Sequence, residues 1–159
     1  MGAGYTWDRR RFLRLFVLTA TASVAGGRYV PTPVHAATLP LVMVWKDANC
    51  GCCEGWVRHM RQAGFSVMVR DSNDMAAVKK ARGVPDVLQS CHTAVVHGYV
   101  IEGHVPASDV ERLVTERPTA KGLAVPGMPA SAPGMDRPGQ AYTVVLFGTA
   151  GDDRIYARH

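Results

Sequence analysis

The chain lacks the features that would assign it to a membrane or to nucleic acid. Its longest weakly apolar stretch, Leu15 to about Ala25, is diluted by threonine and serine. It is shorter than the ~20 apolar residues a membrane-spanning helix needs, so no stable membrane span is expected. There is no internal repeat and no sign of a second folded domain. A basic stripe and an aromatic-studded surface are also missing, although the formal net charge is +5. That charge sits mostly at one end, since residues 1–36 hold five arginines and one aspartate. The rest is close to neutral, which argues against nucleic acid as a partner. Cysteine is scarce too, with four in 159 residues.

The basic end reads as an address. Asp8-Arg9-Arg10-Arg11-Phe12-Leu13-Arg14 has the form of a twin-arginine export signal, and Val34-His35-Ala36 of a processing site. The expected organisation is an export signal over residues 1–36 and one folded domain over residues 37–159, located in the periplasm.

Within residues 37–159 the chain alternates strand-like and helix-like segments. Leu41 to Trp45 is a short apolar run suited to a buried strand. Asn49 is positioned to cap a helix that carries Cys53, Trp56, Val57 and Met60 on one face and stops at Gly64. A strand over residues 65–69 and a helix over residues 75–82 follow, the latter stopped by Gly83 and Pro85. Thr93–Val96 and Tyr99–Ile101 read as a hairpin across His97-Gly98. Ser108 to Glu111 has capping-box spacing and opens a helix that Pro118 closes. Residues 123–139 are rich in proline, glycine and methionine and predict a long loop. Residues 142–147 and 154–156 predict a final hairpin. The fold class expected is α/β, a thioredoxin-like βαβα-ββα unit with a Pro/Gly/Met-rich loop and a C-terminal β-hairpin.

The chemistry concentrates in Cys50-Gly51-Cys52-Cys53. Three cysteines within four positions are poorly spaced for stapling a fold. At a helix N-terminus the free N–H groups favour thiolate over thiol. Two chemistries then compete. Cys50 and Cys53 form a C-x-x-C pair capable of thiol–disulfide exchange without metal, whereas Cys52 adds a third sulfur that helps only a metal site. Other soft or borderline donors are Cys91, His92, His104, Met128 and Met135. Thioethers and thiolates favour Cu(I), which places copper ahead of zinc.

Blander roles are assigned elsewhere. Met43, Met60, Met68 and Met75 read as core filler, His59 as a solvated surface residue, His97 as a turn residue and His159 as a free terminus. Core packing and metal contact are both open for Met128 and Met135. Cys91 occupies the turn before the third strand, which in thioredoxin-like folds lies against the C-x-x-C helix start. Adjacent strand residues point to opposite faces, so Cys91 and His92 are not expected on one metal together.

Four segments in order carry a wider resemblance: Cys50 to Cys53, Ser90 to Val96, Gly98 to Pro106 and Gly122 to Pro129. Together they resemble the CopG-type copper-resistance proteins, from about Leu39 to Tyr156. The resemblance implies a periplasmic thioredoxin fold, copper ions as partner and cofactor, other periplasmic copper-handling proteins as further partners, and a role in interconverting Cu(I) and Cu(II). It makes Cys50, Cys52, Cys53 and Cys91 the thiolate ligands. His104, Met128 and Met135 fall inside the shared motifs, and their inclusion rests on donor chemistry. One departure is Ala130-Ser131-Ala132, where a glycine is expected.

Overall fold

Alternation sets the first strand: in β1 (Val42–Lys46) Val42, Val44 and Lys46 are buried, with Met43 and Trp45 half-buried between them. The computed structural model describes Met1, residues 38–135 and residues 137–159. The expected export signal and its boundary at residue 36 lie outside the described residues. After β1 come α1 (Gly51–Gln62), β2 (Val67–Asp71), α2 (Met75–Ala81), a 3-10 turn (Asp86–Leu88), β3 (Thr93–Val96) and β4 (Tyr99–Glu102). Then follow α3 (Ala107–Glu116), β5 (Gly122–Ala124), β6 (Thr143–Phe147) and β7 (Arg154–Arg158).

The seven strands form one sheet in the order β2-β1-β3-β4-β5-β6-β7. β1 pairs parallel with β2 through the α1 crossover and antiparallel with β3, and β3 pairs antiparallel with β4. This is the thioredoxin-like unit expected from the sequence. β5 runs parallel to β4, and the β6–β7 hairpin extends the sheet beyond it. The main core gathers Trp56, Val57 and Met60 of α1 with Val110 and Leu113 of α3 over strand residues such as Val44, Ala94, Ile101 and Leu146. A smaller cluster joins Val84 and Leu88 to Val100, Ala124 and Phe147. The β3–β4 turn places both His97 and Gly98 at positive φ, 48° and 87°, as a type I′ two-residue hairpin turn requires.

Several local expectations need correction. Cys50, not Asn49, is the N-cap of α1, and the Asn49 N–H instead donates to Asp47 Oδ1 at 2.8 Å. α3 starts at Ala107 behind Pro106, and no side-chain oxygen caps it. His59 Nε2 accepts the Ala107 N–H at 2.9 Å, so this histidine joins α1 to α3 rather than facing water. β2 begins two residues later than expected because Phe65 turns into the core. Met68, on that edge strand, is exposed. β5 was hidden by its shortness, three residues ahead of a proline. His159 is tied down, pairing with Asp109 Oδ2 at 2.7 Å and stacking on Tyr142.

Candidate metal centre

The sulfurs converge from two directions. The β1–α1 turn supplies Cys50 at the N-cap, with Cys52 and Cys53 in the first helical turn. Lys46 anchors this limb: its Nζ lies 2.8 Å from Glu54 Oε1 and 3.1 Å from Asp71 Oδ1. The Glu54 partner, helped by Asp71, raises the lysine pKa against the opposing effect of burial. Cys50 and Cys53 are joined as a disulfide. Cys52 remains a free thiol, its Sγ 3.5 Å from Cys50 Sγ.

The second limb comes from the turn ahead of β3 and from the residues after β4. Cys91 Sγ lies 3.9 Å from Cys52 Sγ, 3.2 Å from His92 Nδ1 and 3.0 Å from His104 Nε2. His92 and His104 are both fully buried, with their rings edge to face at 5.0 Å. The expectation that Cys91 and His92 diverge is therefore wrong. Strand alternation does not reach them, because β3 begins only at Thr93.

Burial holds two ionisable groups here neutral. Burial pushes the Cys91 thiol up to about 12, and neighbouring Cys52 adds to the effect. Burial, with His104 and Lys79 nearby, pushes His92 well below its ordinary value. His104 Nδ1 lies 2.7 Å from the Pro133 carbonyl oxygen. A carbonyl only accepts, so Nδ1 carries a proton, and Nε2 is the ring nitrogen that faces Cys91. An imidazole whose second nitrogen donates to a backbone carbonyl is the usual arrangement of a metal-ligating histidine. Among the described residues, His92 Nε2 is buried without a hydrogen-bond partner.

Two donor groups result, Cys50–Cys52–Cys53–Cys91 and Cys91–His92–His104, each with ligand atoms within 4.8 Å of one another. Neither includes a carboxylate, the donor that hard cations need. The set fits a thiophilic ion. Its full sulfur count requires two electrons to open the Cys50–Cys53 disulfide.

The Pro/Gly/Met-rich loop packs onto the first limb. A Cβ on Gly55 would meet Gly134 O at 2.7 Å, and one on Gly134 would meet Trp56 N at 2.4 Å. The two glycines allow the loop backbone to lie directly on the first turns of α1. Ala132, in the segment that departs from the expected glycine, is fully buried. Met135 is half-buried just past Gly134. Met128 remains 57% exposed, next to Gly127, whose N–H donates to Gln89 O. The geometry thus gathers Cys50, Cys52, Cys53, Cys91 and His104, adds His92, and leaves Met128 at the surface.

Residues 88–135 match a family described as "Protein of unknown function, DUF411". No curated protein matches the chain. Solved structures described as "Copper resistance protein copG", Form 2 and Form 1, are each 43% identical to it. They superpose with TM-scores of 0.72 and 0.71, covering 76% of this chain and 98% of theirs. Over nearly the full length of those proteins the sequence and fold agree, and the chain belongs to the CopG family of copper-resistance proteins.

Proposed function

We propose that this protein is a periplasmic copper-handling protein that takes up Cu(I) on Cys50, Cys52, Cys53 and Cys91, with His104 as a nitrogen ligand. One observation carries the reading: four sulfurs and two imidazoles from separate parts of the chain lie in two overlapping groups, the ligand atoms of each within 4.8 Å of one another. A soft monovalent ion suits that donor set better than a hard one. His92 is added to the ligand set by its contact with Cys91. Met135 and the exposed Met128 are further thioether donors, on the loop that packs on α1.

The disulfide favours a redox component. As reduced thiols, Cys50 and Cys53 would each give one electron to a Cu(II) ion. Two Cu(II) become two Cu(I), the S–S bond forms, and the two thiol protons leave to solvent. Cys52 and Cys91 would remain reduced as ligands. The same disulfide also supports a second reading, metal-free thiol–disulfide exchange through Cys50 and Cys53.

The readings separate in one experiment. The reduced protein and its Cys52→Ser variant are loaded anaerobically with Cu(I), and both are assayed for insulin disulfide reduction. The copper reading expects metal retention by the parent protein and a large loss in Cys52→Ser. Metal-free exchange expects insulin turnover that Cys52→Ser leaves intact, with no competitive copper retention in either protein.

A further inference from the structure

A buried ion pair lies behind the second limb. Glu102, at the end of β4, is wholly inaccessible, and the Lys79 side chain from α2 is 6% exposed. Lys79 Nζ donates to Glu102 Oε1 at 2.5 Å and to Thr93 Oγ1 at 3.1 Å. Glu102 has two further contacts: Oε1 accepts the Ser90 backbone N–H at 2.7 Å, and Oε2 accepts from Thr93 Oγ1 at 2.6 Å. One carboxylate therefore holds both ends of the Ser90–Thr93 segment, and the two residues between those ends are Cys91 and His92. From the other side, the Gly103 N–H donates to His92 O at 2.9 Å, and the Ser90 hydroxyl donates to Gly127 O.

Stability alone does not account for this arrangement. A buried ion pair is replaceable by well-packed apolar side chains at little or no cost, because the charges had to be desolvated. An apolar pair at these positions would fill the same space but leave the Ser90 N–H and Thr93 hydroxyl without their acceptor. Among the described residues, the hydrogen bonds that the Glu102 carboxylate accepts, Lys79 aside, come from Ser90 and Thr93 of the ligand-bearing segment.

We propose that Glu102, held by Lys79, is a positioning residue for the metal centre. It fixes the Ser90–Thr93 segment so that Cys91 faces Cys52 and His104. The 3.9 Å between the Cys52 and Cys91 sulfurs is within the span of two sulfurs on one metal at ~2.3 Å each. Losing the segment's fixed geometry separates them. This inference rests on the copper reading only for its affinity measurement; its geometric content is independent of metal.

The test compares Lys79→Met/Glu102→Leu with Lys79→Met/Glu102→Gln, whose amide still offers an acceptor to Ser90 and a partner to Thr93. Each is measured by thermal unfolding and by Cu(I) competition against a chelator. Each is also placed in a Cys50→Ser/Cys53→Ser background, where diamide oxidises the Cys52 and Cys91 thiols to a disulfide at a rate that reports their proximity. The leucine pair is expected to fold, to bind Cu(I) about ten- to hundred-fold more weakly, and to cross-link several-fold more slowly. The glutamine pair is expected to recover most of both. Wild-type affinity and cross-linking in the leucine pair, or equal losses in the two pairs, would overturn the proposal. If the leucine pair does not fold, Thr93→Val, which removes one of the two ties, decides in its place: slower cross-linking supports positioning and an unchanged rate refutes it. Absence of Cu(I) binding by the parent protein would reject the copper reading while the cross-linking comparison still judged Glu102.

Discussion

The two limbs of the centre are each tethered through a lysine, and the tethers differ in kind. Lys46 ties the Cys50–Cys53 limb through Glu54 and Asp71, whose side chains are 46% and 57% exposed. Lys79 ties the Cys91–His92 limb through Glu102, which is not exposed at all. Water competes for the first pair's partners and is excluded from the second. On the helix limb Cys50 and Cys52 are half-buried while Cys53 is fully buried. The strand limb has Cys91 half-buried and His92 fully buried, and is tied at Ser90 and Thr93 to Glu102.

The contrast is sharpest in single substitutions at the two tethers. Lys79→Met leaves a buried, uncompensated carboxylate and is expected to cost about 3–5 kcal/mol in urea unfolding. A loss below about 1 kcal/mol would mean that Glu102 finds another cation or takes up a proton. Gly134→Ala strikes the joint between the loop and the helix limb. Its φ of +86° and the close approach to Trp56 N lead to an expected loss of about 2–4 kcal/mol. His59→Ala removes the acceptor at the start of α3 and should cost about 1 kcal/mol, in the range of other lost caps. Glu54→Gln at the exposed tether should cost under about 1 kcal/mol, and that should shrink with added salt.

A pH dependence separates the limbs as well. The folded protein holds the Cys91 proton more tightly than an unfolded chain does, since burial raises its pKa from 9.0 to about 12. Its stabilising contribution is fully present below about pH 9 and is lost as pH rises toward about 12. Urea unfolding of the metal-free protein should therefore weaken across that window, and Cys91→Ser should flatten the decline. For metal uptake the sign reverses. Binding at Cys91 expels a proton, so affinity rises with pH, and Cys91→Ser should reduce the slope.

This division also explains how far the sequence could be read. The helix limb is contiguous, and the Cys50-to-Cys53 run declares both its helix position and its chemistry. The order of strands and helices through α3 was legible from apolar periodicity and from Gly64, Gly83 and the His97-Gly98 turn. The strand limb is assembled by tertiary structure. Cys91 could be placed through the fold, but His92 was set aside by a strand-alternation rule that begins to apply only at Thr93. The pairing of Glu102 with Lys79 carried no signal, because twenty-three positions separate them. His59 was misjudged for a similar reason: its partner is the backbone of another helix, to which no side-chain pattern points. β5 escaped because three residues are too few for a periodic signal.

The most direct test of the account is an anaerobic Cu(I) titration of the fully reduced protein against a competing chelator, with Cys52→Ser and Cys91→Ser beside it. If the two limbs form one centre, each single substitution should weaken binding at least about ten-fold, the scale of losing one metal-supporting interaction. Binding by Cys91→Ser that matches the parent protein would show that the helix cysteines hold metal alone, and would contradict the two-limbed centre.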